Sequence, residues 1–484
     1  MIARWFYLPS LLFLLLALLS GTWLRLQWGW PQWQVLGLDL PWSLFLRVEY
    51  LLHGHSHVAL LGWTFLALAG LILEAGTRRN RLPVRSLRVL AALTILVTIF
   101  LFIAFVRDGY APLSIALSTI HMLLGYVLVW IFFRHARTDS NTGSRYFLEG
   151  AVFWMVMATA GPWLLAAGRG LSPFWMDAAV QYYLHVLFNG WLLFGLAGLA
   201  FRYLLHSRFR QMTWPFWLMM AGLLPALLPQ LGPQSPEMLS LPVGVTTAAG
   251  LTGSILFAAG GLAVVWFTFM SLRERKKSGE GKAENRIGES LLYIGLGASV
   301  PVLLLPAFMA WPPVHALWSQ SDFLTIGFIH LHLLAVVSTL LLYGIIQRVA
   351  PVFAIGFGRN TADVDDRKAA DTDSRNAVDT GGRGVADERS VAGRRPLTSL
   401  FTTGQYPQAL EKRARRFRLL LRFGIALFVS GSLAMVILLI VTGLFQLAGS
   451  LPPYPVQKTL FYTGLMTLTG AIPVATALFF RPSK

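Results

Sequence analysis

The stretch LTIGFIHLHLLAVVSTLLLYGIIQRV (residues 324–349) is apolar for long enough to cross a bilayer, yet it carries two histidines, His330 and His332, near its start. A hydrocarbon core of about 30 Å takes roughly 20 residues of helix, and this run supplies them with no charged residue before Arg348. Runs of the same kind, bounded by charge, proline or glycine, recur near 5–24, 53–75, 87–106, 112–134, 147–168, 181–204, 213–231, 246–271, 290–310, 419–447 and 457–480. With 55% hydrophobic and only 13% charged residues, and a mean hydropathy of +0.60, the 484-residue chain reads as an all-α, polytopic membrane protein of about twelve transmembrane helices. The first run follows Arg4 but lacks a small-x-small cleavage site, so it is read as a helix and not as a signal peptide.

The formal net charge of +18 is not spread along the chain. It falls in short loops: RRNRLPVRSLR (78–88), RHAR (134–137), RERKK (273–277) and EKRARRFR (411–418), all on one side of a twelve-helix count. That pattern marks cytoplasmic loops rather than a nucleic-acid surface, and it places both termini in the cytoplasm. The opposite loops carry few cations, and WGWPQWQ (28–34) suits the outer interface. The residues from Arg359 to Arg395 are too polar to build a core, so 352–416 is expected to be a disordered cytoplasmic loop between helices 1–10 (1–351) and helices 11–12 (417–484). The expected partner throughout is the lipid bilayer, and the expected location the inner (plasma) membrane of a bacterium, spanned many times.

The chain has no cysteine, which excludes disulfides, thiolate-bound zinc, iron–sulfur clusters and thiol nucleophiles and leaves histidine as the one strong borderline metal ligand. Of the ten histidines, His53, His55 and His57 open the second helix, His121 lies in the fourth, His185 opens the sixth, and His330 and His332 lie early in the tenth. All seven fall in the outer half of an even-numbered helix. His315 belongs to the loop before the tenth helix, and His135 and His206 to cytoplasmic helix ends, where they are read as interfacial side chains. Residues two apart on a helix are rotated by about 200°, so His330 and His332 point to nearly opposite faces and serve two different sites, or none. Imidazole ligates haem iron axially, and one helix standing between two haems would carry this spacing. The plainer alternative is that each histidine hydrogen-bonds a neighbouring helix. Ionisable groups inside a membrane are costly and usually functional, and seven sharing one leaflet favour function over packing.

In SDFLTIGFIHLHLL (321–334) and HGHSHVALLGW (53–63) the chain resembles the large catalytic subunit of the haem–copper oxidase superfamily, that is, cytochrome c oxidase subunit I, over most of its length. The resemblance implies a subunit I-like bundle, a low-spin haem between helices 2 and 10, and a high-spin haem on the other side of helix 10. It makes His330 the high-spin ligand and His332 the low-spin ligand. On helix 2 three candidates compete: His57 is deepest and precedes VALLGW, His53 lies one turn nearer the surface on the same face, and His55 points away. His57 ranks first and His53 second.

The departures from the family bear on chemistry. In the oxidases a copper ion faces the high-spin haem, held by one histidine on helix 6 and an adjacent pair on helix 7. Here YYLHVLFNGW (182–191) offers His185, but TWPFWLMMAGLLPALLPQL (213–231) offers no histidine; Asn189 stands four residues after His185, and no glutamate follows it there. His121 is a candidate substitute metal ligand. The expected cofactors are thus one or two haems, of b type, with copper or another metal in a degenerate site at His185 and His121. The expected activity is redox or diatomic-gas chemistry, as in a cytochrome oxidase or nitric oxide reductase of a respiratory chain. Without cysteine no haem c can be attached, so the electron donor is a separate protein or a quinol, and further membrane subunits are possible partners. A non-catalytic haem or nitric-oxide-binding protein is the alternative. A secondary transporter is the third reading, disfavoured by the lack of repeated halves and of paired helix interruptions.

Overall fold

The computed structural model describes residues 3–29, 34–35, 38–39, 47–77, 82–136, 141–167, 172–231, 238–278, 288–349, 408–449 and 454–479. Twelve of its helices are long and apolar enough to cross a membrane. They are α1 (Trp5–Trp28), α2 (Val48–Gly76), α3 (Val84–Asp108), α4 (Pro112–Arg134), α5 (Thr142–Ala167), α6 (Pro173–Tyr203), α7 (Trp214–Leu231), α8 (Val243–Lys277), α9 (Glu289–Met309), α10 (Asp322–Val349), α11 (Leu419–Leu447) and α12 (Lys458–Phe479). The chain is therefore an all-α, multi-pass membrane protein in contact with lipid. A backbone that enters hydrocarbon must satisfy its own hydrogen bonds, which is why apolar runs of this length fold as helices.

Local sequence sets where several spans begin. Pro112 and Pro173 occupy the first turns of α4 and α6, where a missing N–H costs nothing. Ser321 caps α10 by accepting from the Leu324 N–H, and its hydroxyl donates to Gln446 on α11 at 2.8 Å. Helix α11 extends back to Gln408, which corrects the expected loop boundary at 416. Ala, Glu, Lys and Arg dominate 409–416 and are strong helix formers, so the helix continues past the apolar run. The charged segment from 350 to 407 lies outside the described residues.

Burial is uneven. Over their most apolar windows α2 and α6 are 83% and 78% buried, whereas α4 is 28% buried and turns side chains such as Leu123, Val127 and Trp130 outward. α2, α6 and α10 form the centre. Their second halves pack on one another, through residues such as Leu68, Leu71 and Gly195, and Trp63 on α2 donates its indole N–H to Ser338 on α10 at 2.9 Å. Their first halves diverge: that of α2 packs on α1 and α3, that of α6 on α5 and α7, and that of α10 on α11. Among the described residues the first halves of α2, α6 and α10 do not pack closely on each other. Because successive spans alternate in direction, these first halves share one end of the bundle, the histidine end.

Candidate functional site at the histidine end

Three of the central helices widen into π-helix immediately after a histidine: Val58–Thr64 after His57, Val186–Leu193 after His185, and Leu331–Ser338 after His330. A π turn inserts a residue into the α ladder and is frequent at functional sites, since it re-aims side chains at some cost in hydrogen bonding. Here it sits where each helix passes from its diverging half to its packed half.

The second helix presents its histidines in two directions. His57 stacks on Phe105 of α3 with ring centroids 4.0 Å apart, and His53 meets Tyr110 edge-on at 4.6 Å. Burial pushes the Tyr110 phenol above its ordinary range, so it stays protonated beside His53. The Nδ1–H of His57 donates to the His53 carbonyl at 2.9 Å. His57 also lies within electrostatic range of His121 on α4, whose Nε2–H donates to the Leu61 carbonyl at 3.1 Å. His55 turns the other way, to α1. Its Nδ1–H donates to the Ala17 carbonyl at 2.9 Å, and a Cβ on Gly21 would stand 2.8 Å from its Cε1, so only glycine admits the ring there.

The tenth helix separates its pair as the spacing demands. His330 donates Nδ1–H to the Ile326 carbonyl at 2.8 Å. His332 points to α6: its ring lies 5.3 Å from that of Phe188, and its electrostatic neighbour is His185. His332 is 1% exposed, and its Nε2 has no hydrogen-bond partner.

His185 is held on both sides. Its Nε2–H donates to the Leu223 carbonyl at 2.8 Å, and its Nδ1 accepts from the side-chain amides of Gln230 at 2.9 Å and Asn189 at 3.3 Å. The Leu223 carbonyl is free for it because α7 changes from α to 3₁₀ at Pro225, where Leu227 bonds to Leu224 instead. Among the described residues no three His, Asp or Glu side chains converge as a metal-ion site. Glu74 and Glu149 lie at the other end of the bundle, partnered by Tyr7 at 2.7 Å and Arg145 at 2.8 Å.

Sequence reasoning passed over Arg25. It sits in TWLRLQW (22–28), just beyond the expected end of the first helix, and the span in fact runs to Trp28. The residue is 5% exposed; its guanidinium lies over the Trp28 ring at 4.9 Å and, among the described residues, leaves one terminal nitrogen without a hydrogen-bond partner. An arginine inside an apolar run was the signal that could have found it.

No protein-family model matches the chain, and no curated protein matches it. The fold and the histidines define a class, a polytopic all-α membrane protein with a cluster of imidazoles buried at one end.

Proposed function

We propose that the chain is an integral membrane haem protein whose histidines on α2 and α10 are the axial ligands, and which carries out redox or diatomic-gas chemistry on dioxygen or nitric oxide. The carrying observation is the Nε2 of His332, which is buried and has no hydrogen-bond partner among the described residues. A buried acceptor left empty costs about 1–3 kcal/mol, and iron ligation would remove that cost. The rest of the donor set fits. His57, His55 and His330 each donate Nδ1–H to a backbone carbonyl, the arrangement that fixes the tautomer and frees Nε2 for a metal. Imidazoles arriving singly or in pairs suit a cofactor that brings its own equatorial nitrogens, and diverging helix halves suit a flat one. A haem held by these histidines would supply a redox-active iron.

The chain's own residues do the remainder. Phe188 and Phe328 keep the His332 face apolar and exclude water from it. The arginine-bearing loops place the histidine end toward the outer leaflet, so electrons arrive from a separate donor protein or quinol on that side. A pyridine haemochrome assay on the detergent-purified protein tests the reading; absence of haem overturns it.

A second reading, gas binding without turnover, is favoured by His185. With both ring nitrogens hydrogen-bonded, it offers no lone pair to a second metal opposite His332. Reductant consumption with dioxygen or nitric oxide supports the enzyme; binding spectra without consumption support the carrier or sensor.

A further inference from the structure

At the end of the bundle away from the histidines, the helix of α11 runs unbroken from Gln408 to Leu447. The cationic stretch EKRARRFR (411–418) is therefore a rigid continuation of the membrane span. Positions 412, 416, 419, 423, 426 and 430 follow one line along this helix, at alternating steps of four and three residues. From Arg416 onward every residue of that line is exposed, Leu419 by 57% and Phe423 by 60%, whereas Leu421, Ile425 and Phe428 on the other side are buried. The line is the lipid-facing seam of α11. Lys412 and Arg416 stand on it by register, and Arg422 is exposed beside it at the level of Phe423. Neither Arg416 nor Arg422 has a hydrogen-bond or ion-pair partner among the described residues. The one carboxylate between 408 and 447, Glu411, stands off this line, four residues before Arg415, the spacing of a helical ion pair.

We propose that this seam binds an anionic phospholipid, its phosphate held by Lys412, Arg416 and Arg422 and its acyl chains lying along Leu419, Phe423 and Ala426. At 1.5 Å per residue Arg422 lies about 9 Å deeper than Arg416. A guanidinium at that depth on a lipid-facing side is costly in hydrocarbon, so its stem lies along the apolar seam and its head climbs to the headgroup level, toward Arg416. Each guanidinium there can hold phosphate oxygens by paired N–H bonds. The occupant is a lipid, and not an acidic peptide or a nucleic acid, because the cations and the exposed apolar residues form one continuous line. An amphiphile covers both parts of it, whereas a polyanion covers only the charged part. The positive loops make this the cytoplasmic leaflet, whose negative surface potential adds attraction for every cation near it. The site lies apart from the histidines and holds whether or not they bind haem.

The test uses the full chain, delipidated in detergent and titrated with dioleoylphosphatidylglycerol or, as the zwitterionic comparison, dioleoylphosphatidylcholine. Bound lipid is counted by native mass spectrometry, with the melting temperature followed alongside. Phosphatidylglycerol should bind more tightly by about fivefold per cation, and raised salt should remove the difference. Equal binding of the two lipids by the wild type overturns the proposal at once. The combined change Lys412→Gln, Arg416→Gln and Arg422→Gln should abolish the preference while leaving the melting temperature in phosphatidylcholine as in the wild type. Removing three exposed cations at the end of α8 instead, by Arg273→Gln, Lys276→Gln and Lys277→Gln, should leave the preference intact. A preference that survives in the α11 variant shows that the seam does not hold the lipid; one lost equally in the α8 variant shows that net charge alone is read; either result overturns the site. Arg422→Gln alone disturbs the fold least and should cost about fivefold, and no loss overturns the shared headgroup. Glycerophosphoglycerol, the headgroup without its chains, should fail to displace the lipid; displacement would overturn the amphiphile in favour of a bare phosphate site.

Discussion

His185 on α6 and His332 on α10 are neighbours, 4% and 1% exposed, and both rings lie against the same π-helical part of α6. They differ in what their nitrogens do. His185 closes a break in α7, donating to the carbonyl that the 3₁₀ turn leaves open and accepting two amides. His332 leaves Nε2 empty. A buried histidine whose hydrogen bonds are complete explains itself as structure, whereas one with an orphaned nitrogen calls for a further explanation, and a bound ligand is the one proposed for His332. The same residue type, buried in both places, thus has its hydrogen bonds completed on one helix and left open on another.

Replacing His332 by leucine breaks that comparison most directly. In the holoprotein the change should remove one haem per chain, read as a fall in haemochrome absorbance per mole of protein. In the haem-free protein the same change should leave thermal stability unchanged or raise it, by about 1–3 kcal/mol, since it deletes an unsatisfied group. A haem content equal to wild type would make His332 an ordinary packing residue.

His185→Leu should give the opposite signature. It strands the Leu223 carbonyl and the Gln230 amide, so unfolding in detergent should become easier by about 2–3 kcal/mol while haem content per folded chain stays near wild type. Haem loss without a change in stability would show that His185 is a ligand after all.

Ser338→Ala probes the ground on which both rings stand. The Ser338 hydroxyl receives the Trp63 indole N–H and ties α2 to α10 just inside the histidines. Interhelical bonds of this kind in membranes average about 0.6 kcal/mol and reach about 1.7. A loss in that range with an unchanged spectrum is expected; a shifted α-band would mean that the tie also positions the haem ligands.

The helices were legible because the bilayer imposes a length and an apolar composition that few other structures satisfy; each of the twelve spans overlaps its expected place, the widest departure being α6, which begins at Pro173 and not near 181. The opposite directions of His330 and His332 were legible too, since i, i+2 geometry survives the π turn. The facing of the α2 histidines was legible as well, with His53 and His57 on one side and His55 on the other; what each side meets was not. His55 turns to α1 because Gly21 leaves room for its ring there, a contact that α2 considered alone does not announce. The engagement of His185 was hidden for a similar reason. Its partner is a main-chain carbonyl freed at Pro225, a contact that no side-chain pattern announces.

The smallest effect sharpens the account of His185. Its Nδ1 accepts from two amides, Gln230 at 2.9 Å and Asn189 at 3.3 Å, and a single ring nitrogen has one lone pair to offer. The shorter contact takes most of it, so the longer one is a weak, shared bond. Asn189→Ala should therefore cost only about 0.5 kcal/mol, below the loss of about 1 kcal/mol expected for Gln230→Ala. In a His185→Leu background both costs should collapse, because the acceptor has gone, and a double-mutant cycle reads that coupling directly. If Asn189→Ala instead cost more than Gln230→Ala and kept its full effect without His185, Asn189 would be acting on another partner, and the ring's Nδ1 would be less fully engaged than its geometry implies.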